Sequence, residues 1–342
     1  MPASDRRLDG LDALRGVAAL AVCFFHWEQI IFSVPAEQQI FRLGLLGVEL
    51  FFMISGAVIL MVAERGSSPS DFVASRAVRL YPAYIVAVGL TAIYVLAVHK
   101  YDVTTVLINF TMLQSFIAVP NITNPFWTLA FEIVFYLYVA ALIRAQHLRH
   151  LEWYCLAWLG IGLIYRLMLP GGMTLDESNP AKHILFILLA PQFAPFFILG
   201  LMIWRWRSRR ASRLSYVVLI SALAITCFGR GDFAQIHGAI YFTLTAVMVG
   251  ALMASLRINV AIPWPITFLG LISYPLYLIH CTISNLGNLI ASRLDLASIP
   301  IGLIFATLTF VIAASIHVYI ERPIQAWFRE RRAASARTVL TN

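Results

Sequence analysis

An arginine and a histidine eleven positions apart, Arg15 and His26, lie in the first long apolar stretch of the chain. In an α-helix that spacing separates them by about 16 Å along the axis and, at 100° per residue, leaves them almost on one face. Such a helix carries a fixed cation near one membrane surface and a titratable imidazole deep in the bilayer. Glu49, Glu132 and His280 also stand inside apolar runs, and are expected in the middle and outer half with His26. An inner layer is formed by Asp9, Asp12 and Arg15, by Arg76 and Arg79 ahead of the third run, and by His317, Glu321 and Arg322 at the end of the last. Ionisable groups in hydrocarbon are costly unless paired or hydrated, so each is a functional candidate by default. Guanidinium groups bind phosphates bidentately. A buried histidine beside a carboxylate can act as general base on a hydroxyl, and Glu49 or Glu132 is expected to orient His26. This set suits transfer of a group from an elongated anionic donor to an acceptor reached from the opposite side. It equally suits a proton-coupled transporter, because His and Glu within a helix bundle also make a proton relay.

Positioning these groups requires membrane helices. Of 342 residues 60% are hydrophobic and only 12% charged, with a mean hydropathy of +0.81. A water-soluble fold could not hide that much apolar surface. About 20 apolar residues cross the hydrocarbon core, and runs of that order lie near 11–32, 43–63, 80–98, 126–143, 151–169, 183–204, 214–229, 236–256, 266–290 and 299–320. The expected fold is an all-α integral membrane protein, a single domain over 1–342 with about ten transmembrane helices. The first run is too long for a signal-peptide core and reads as a retained helix.

Charge sets the orientation. With ten spans and a cytoplasmic N-terminus, 19 of the 25 Lys and Arg residues fall on the cytoplasmic side, leaving Arg42, Lys100, Arg166, Lys182, Arg230 and Arg293 outside. Both termini are then cytoplasmic. A further span at 103–119 would invert the later helices and reverse that excess, so this stretch, with Asn109, Thr111, Gln114 and Ser115, is expected to be an interfacial or re-entrant helix on the exterior.

The formal charge of +8 belongs to topology and anionic lipid rather than to nucleic acid, because the basic residues are dispersed between apolar segments. Cys23, Cys155, Cys227 and Cys281 fall in apolar runs without metal-ligand or disulfide spacing and read as small packed hydrophobes. Trp204-Arg205-Trp206-Arg207 reads as an interfacial belt with no chemistry. Gly44, Gly47 and Gly56 read as points of close helix packing.

Six motifs in order resemble one known family, the membrane-bound acyltransferase-3 proteins that O-acylate bacterial surface carbohydrates and some small molecules. They are RLDGLDALRGVAALAVCFFHW, with Arg15 and His26 in the family's Arg-ten residues-His pattern, GVELFFMISG at 47–56, SRAVRLYPAY at 75–84, FWTLAFEIVFYL at 126–137, SYPLYLIH at 273–280 and ERP at 321–323. The resemblance runs from about residue 8 to 323. Glu49 departs from it, since the family more often has Asp there.

The resemblance implies a cytoplasmic acyl-CoA donor, usually acetyl-CoA, and acyl transfer to a hydroxyl of a glycan or lipid-linked sugar in a bacterial inner membrane, with no metal. On this reading His26 is the base or a transient acyl carrier, and Arg15, Arg76 and Arg79 engage the donor's phosphates. Glu49 and Glu132 tune His26 or bind the acceptor, and His280 and Tyr277 are second-tier candidates. A carbohydrate or lipid transporter and a non-catalytic subunit of an envelope-polysaccharide assembly are the alternatives. Asn121, Asn124, Asp176 and Glu177 in the outer loops carry no acceptor signature.

Overall fold

The computed structural model describes residues 6–35, 38–66, 68–168, 179–228, 238–257 and 262–341; Asp176, Glu177 and Arg230 lie outside these residues. The described chain is all helical. Its helices are α1 (Arg6–Ile31), α2 (Leu46–Ala63), α3 (Pro69–Ala97), α4 (Val103–Asn109), α5 (Trp127–Arg144), α6 (Leu151–Met168), α7 (Pro180–Leu189), α8 (Ala194–Arg207), α9 (Arg213–Ile225), α10 (Gly238–Ser255), α11 (Trp264–Leu271), α12 (Ser273–Arg293), α13 (Ser298–Ile316) and α14 (Arg322–Thr341). Among the described residues seven helical segments are long and apolar enough to cross a membrane, or eight when α11 and α12 count as one bent span. The two remaining expected runs are also helical. They are α6 and α9, and α9 is extended by a 3-10 turn at Thr226–Phe228.

Three boundaries differ from the hydropathy reading, each for a local reason. Helix α3 begins at Pro69, eleven residues before its apolar run, because Ser68 caps it by accepting from the Asp71 amide at 3.1 Å and Pro69 occupies the first turn. Arg76 and Arg79 are therefore inside the helix, three residues apart on one face. The run near 183–204 is two helices, interrupted where Ala190 turns left-handed ahead of Pro191. The run near 266–290 is bent by 70° between α11 and α12.

The core is aromatic. Tyr84, Phe126, Phe131, Phe135, Phe193, Phe196 and Phe197 are fully buried, whereas Ile93, Ile161, Val247 and Ile304 are exposed on the flanks of their helices. That inside-out surface is what a lipid solvent permits. Within it, helices associate through tight packing at small residues. Helix α2 lies along α8 at a reciprocal glycine contact, where a Cβ at Gly56 would meet the Phe197 carbonyl oxygen at 2.1 Å and one at Gly200 the Met53 carbonyl oxygen at 1.9 Å. Helix α1 packs against α2, α11 and α12, and α12 against α3 and α13. Arg15 of α1, Arg76 and Arg79 of α3 and Glu132 of α5 consequently line one cavity, with Tyr274 and Tyr277 of α12.

Segment 103–119 holds one seven-residue helix and a 3-10 turn at Gln114–Ile117, far short of a span. Its polar residues fold the next loop. Asn109 Nδ2 donates to the carbonyls of Thr105 and Pro120, and its Oδ1 accepts from the Ile122 amide. Gln114 Nε2 donates to Asn121 Oδ1 at 2.8 Å, and the Tyr84 hydroxyl donates to the Asn109 carbonyl at 2.7 Å. This network fixes the approach to α5, which begins after a 3-10 turn at Asn124–Phe126.

Candidate active site

Two groups of polar side chains meet around α1. The first lines an internal cavity of about 120 Å³, whose wall includes Arg15 from α1, Ser55 from α2, Arg76 and Arg79 from α3, Glu132 and Tyr136 from α5, and Tyr274 and Tyr277 from α12. The three arginines are held differently. Arg79 Nη1 donates to Glu321 Oε1 at 2.8 Å, and the other oxygen of that fully buried carboxylate faces His317 Nδ1 at 2.9 Å. Arg76 donates from Nε to the Ser75 hydroxyl at 3.2 Å. Among the described residues neither Arg76 nor Arg15 has a carboxylate within ion-pair distance. Two guanidinium groups thus remain available to an anion in the cavity.

Glu132 belongs to this group. Its Oε1 accepts hydrogen bonds from the Tyr136 hydroxyl and, at 3.3 Å, from the Ser55 hydroxyl. The sequence assigned it to the outer layer with His26; the structure lines the arginine cavity with it instead. The side chain meets the hydroxyl of Tyr136, one turn further along α5.

The second group is a pair of buried histidines. His280 Nδ1 lies 2.7 Å from the Tyr277 carbonyl, so it carries the proton and donates there, leaving Nε2 as an acceptor. His26 Nδ1 lies 3.1 Å from both His280 Nε2 and the Val22 carbonyl, two acceptors that require the proton on Nδ1. His26 Nε2 then presents its lone pair, which accepts from Asn124 Nδ2 at 3.2 Å. The histidine chain assigns one tautomer to each ring and leaves a basic nitrogen at the loop ahead of α5.

Among the described residues no carboxylate is a hydrogen-bond partner of His26, so Glu49 and Glu132, expected to orient it, do not do so by direct contact. Glu49 is fully buried and accepts from the Tyr241 hydroxyl of α10 at 3.0 Å. This contact, early in α2, joins Glu49 to α10. The contacts to His26 come instead from His280, a second-tier candidate of the SYPLYLIH motif, and from Asn124, which no motif singled out. Asn124 had no signal beyond its polarity in an outer loop, and the His26 to His280 contact joins positions 254 residues apart.

Tyr277 is common to both groups. Its side chain lines the cavity and exchanges a hydrogen bond of 3.1 Å with the Thr128 hydroxyl, while its carbonyl accepts from His280 and its ring centroid lies 5.9 Å from that histidine. Cys281 Sγ approaches His280 Nε2 at 3.3 Å, a contact that its apolar surroundings in the sequence did not suggest; Cys227, also read as packed, is exposed. The donor atoms of His26, His280 and Cys281 lie within 4.8 Å of one another and are the group, among the described residues, that could hold a metal ion. Hydrogen bonding within the chain already accounts for both histidines, and on that ground the chemistry below uses them as nitrogen bases.

A multi-pass helix bundle with a cation-lined cavity beside a pair of buried imidazoles is as compatible with group transfer as with proton relay, and likeness to known families decides between them. The family model described as "Acyltransferase domain" matches residues 8–318, and the chain belongs to this family, the acyltransferase-3 membrane acyltransferases. It is similar to "Putative acetyltransferase ORF330" of Acidianus two-tailed virus, at 25% identity over 83% of this chain and 86% of the relative. It is also similar to "Acyltransferase MdmB" of Streptomyces mycarofaciens, at 24% identity over 97% of this chain and 95% of the relative. No solved structure matches. The protein is therefore a multi-pass membrane acyltransferase, and neither the transporter nor the non-catalytic subunit describes it.

Proposed function

We propose that this acyltransferase moves an acetyl group from acetyl-CoA, held at the cytoplasmic end of the arginine cavity, to a hydroxyl of a cell-envelope glycan or lipid-linked sugar at the opposite end, in a bacterial inner membrane and without a metal. The observation that carries the reading is the succession Arg15 and Arg76, Tyr277, His280, His26. It joins a phosphate-binding surface to a base whose protons are assigned. Both termini lie in the cytoplasm on this reading, since α1 then starts on the side that receives most of the arginines.

Arg15 and Arg76 receive the phosphates of the donor, and Arg79 takes part while Glu321 fixes its guanidinium. Glu132 limits the net positive charge of the empty cavity and remains oriented by Ser55 and Tyr136. The acyl thioester extends past Tyr277 toward His26. His26 Nε2 takes the proton of the acceptor hydroxyl, releasing Asn124, and the alkoxide oxygen attacks the thioester carbonyl. The tetrahedral intermediate collapses with cleavage of the C–S bond, and the thiolate of CoA recovers the proton from His26. His280 accepts from Nδ1–H throughout and keeps the lone pair on Nε2, the role a carboxylate has in many His-centred sites.

Purified protein incubated with labelled acetyl-CoA and envelope glycans from a strain lacking the gene should give labelled glycan and release one CoA per acetyl transferred. Equal activity from a His26→Ala variant would sink the role of His26, and undiminished acetyl-CoA binding by Arg76→Gln would sink that of the cavity.

A further inference from the structure

A second basic cavity lies apart from the first. It has a volume of about 380 Å³ and is lined by Trp206, Arg207, Arg209, Ala211, Tyr216 and Arg257. These residues come from the end of α8, the turn after it, the start of α9 and the residues following α10. The end of α10 lies at the first turns of α1, where a Cβ on Gly10 would meet the Ser255 carbonyl oxygen at 2.2 Å. The cavity consequently opens at the same end of the bundle as the start of α1, but on its α8–α9–α10 side. None of its lining residues borders the arginine cavity between α1, α3, α5 and α12.

A general excess of arginine at one membrane face accounts for the number of these residues but not for their partners. Along the same stretch, Arg205 stands 3.8 Å from Glu64 and 4.0 Å from Glu152, and Arg210 stands 3.3 Å from Glu64. The interleaved Arg207 and Arg209, and Arg257 opposite them, have no carboxylate within ion-pair distance among the described residues. Two of the three are nevertheless held in place. Arg207 donates from Nε to the Leu256 carbonyl at 3.0 Å, which leaves its terminal nitrogens unused, and the Arg257 guanidinium lies 3.9 Å above the Trp206 ring. Arg209 adopts a left-handed conformation (φ 58°) in the turn that ends α8, and that turn brings it to the same cavity. Three guanidinium groups, with all their N–H donors but Arg207 Nε–H unused among the described residues, around one polar hollow form a receptor for a tetrahedral polyanion.

We propose that Arg207, Arg209 and Arg257 bind a phosphate group, carried either by an anionic lipid headgroup or by a soluble phosphate compound. The indole of Trp206 and the half-exposed Tyr216 are side chains suited to the headgroup level of a bilayer. The same donors would take a soluble pyrophosphate. The inference does not rest on the acyl-transfer reading, since it uses none of the residues assigned to it.

The test uses purified full-length protein. Native mass spectrometry measures binding of dioleoylphosphatidylglycerol against dioleoylphosphatidylcholine, and isothermal titration measures binding of inorganic pyrophosphate. Each arm compares the wild type with Arg209→Gln, with Arg207→Gln/Arg209→Gln/Arg257→Gln, with the ion-paired neighbour Arg210→Gln, and with Arg76→Gln in the other cavity. Among the described residues the Arg209 side chain makes no hydrogen bond or ion pair, its backbone amide alone donating to the Trp206 carbonyl, so its single variant keeps the test decisive should the triple variant fail to fold. The expected result is one saturable site for at least one anionic probe, weakened about tenfold by Arg209→Gln, abolished in the triple variant and unchanged in Arg210→Gln. Saturation by the anionic lipid alone assigns a headgroup, and saturation by pyrophosphate assigns a soluble compound. Absence of saturable binding, binding unchanged by Arg209→Gln, or a loss confined to Arg76→Gln overturns the proposal.

Discussion

The histidine pair and the arginine cavity are both buried polar clusters within one bundle, yet they are satisfied in opposite ways. At the histidines every ring nitrogen has a hydrogen-bond partner in a backbone carbonyl, the other ring or Asn124, and no carboxylate or guanidinium is among those partners in the described residues. In the cavity the groups are ionic and only partly matched: Glu321 secures Arg79, while Arg15 and Arg76 keep unspent positive charge. A neutral, fully bonded cluster defines where a single proton sits. A cluster with surplus charge waits for a ligand of opposite sign, because desolvated charges gain most when a partner arrives.

This contrast can be broken at either side. The largest loss is expected from His26→Ala, which should lower kcat by about 10²–10⁴-fold, the usual contribution of a general base, with acetyl-CoA binding intact; weaker binding with unchanged kcat would move His26 into the donor site. Arg79→Ala should act on the fold rather than on turnover, since it strands Glu321 in the interior. A cost of about 3–5 kcal/mol should appear as a lowered thermal midpoint in detergent, and Glu321→Gln in the same background should recover much of it. Arg76→Gln strands no carboxylate among the described residues and should raise KM for the donor about tenfold with kcat nearly constant. Asn124→Ala should lower kcat severalfold without touching donor KM, which would sharpen the division between the clusters. The smallest catalytic effect is expected from Glu49→Gln, whose hydrogen bond to Tyr241 is remote from both functions: a stability loss of about 1 kcal/mol, shared by Tyr241→Phe, with kcat unaltered. A large kcat effect there would restore Glu49 to the chemistry.

Apolar run length made the helices legible, and it failed where something other than hydropathy decides an end. The Ser68 cap extended α3 into polar sequence, and Pro191 split a run that reads as continuous. Grouping the inner charged residues into one layer was equally possible from topology, and Arg15, Arg76 and Arg79 do line one cavity. Pairing was not legible. Whether Arg79 meets Glu321, or His26 meets His280, depends on which faces of α1, α3, α12 and the end of α13 are turned together, and that follows from tertiary packing 242 and 254 residues apart. Glu132 shows the same limit. Depth along a helix was readable, but the direction of a long side chain, here toward the Tyr136 hydroxyl one turn further on, was not.

Between α13 and α14 the helix passes through a π-helical turn, His317–Glu321. Such a turn amounts to one residue inserted into an otherwise regular helix, and its consequence is one of phase. Everything beyond it is rotated by about 100° relative to an uninterrupted helix, including Arg332, which reaches back to Asp71 on α3 at 3.0 Å. Deleting Val318 would leave hydrophobicity, charge and motif composition almost untouched while turning the tail of the protein to a different side. The indel, rather than any substitution, is the lesion to which this junction is most exposed.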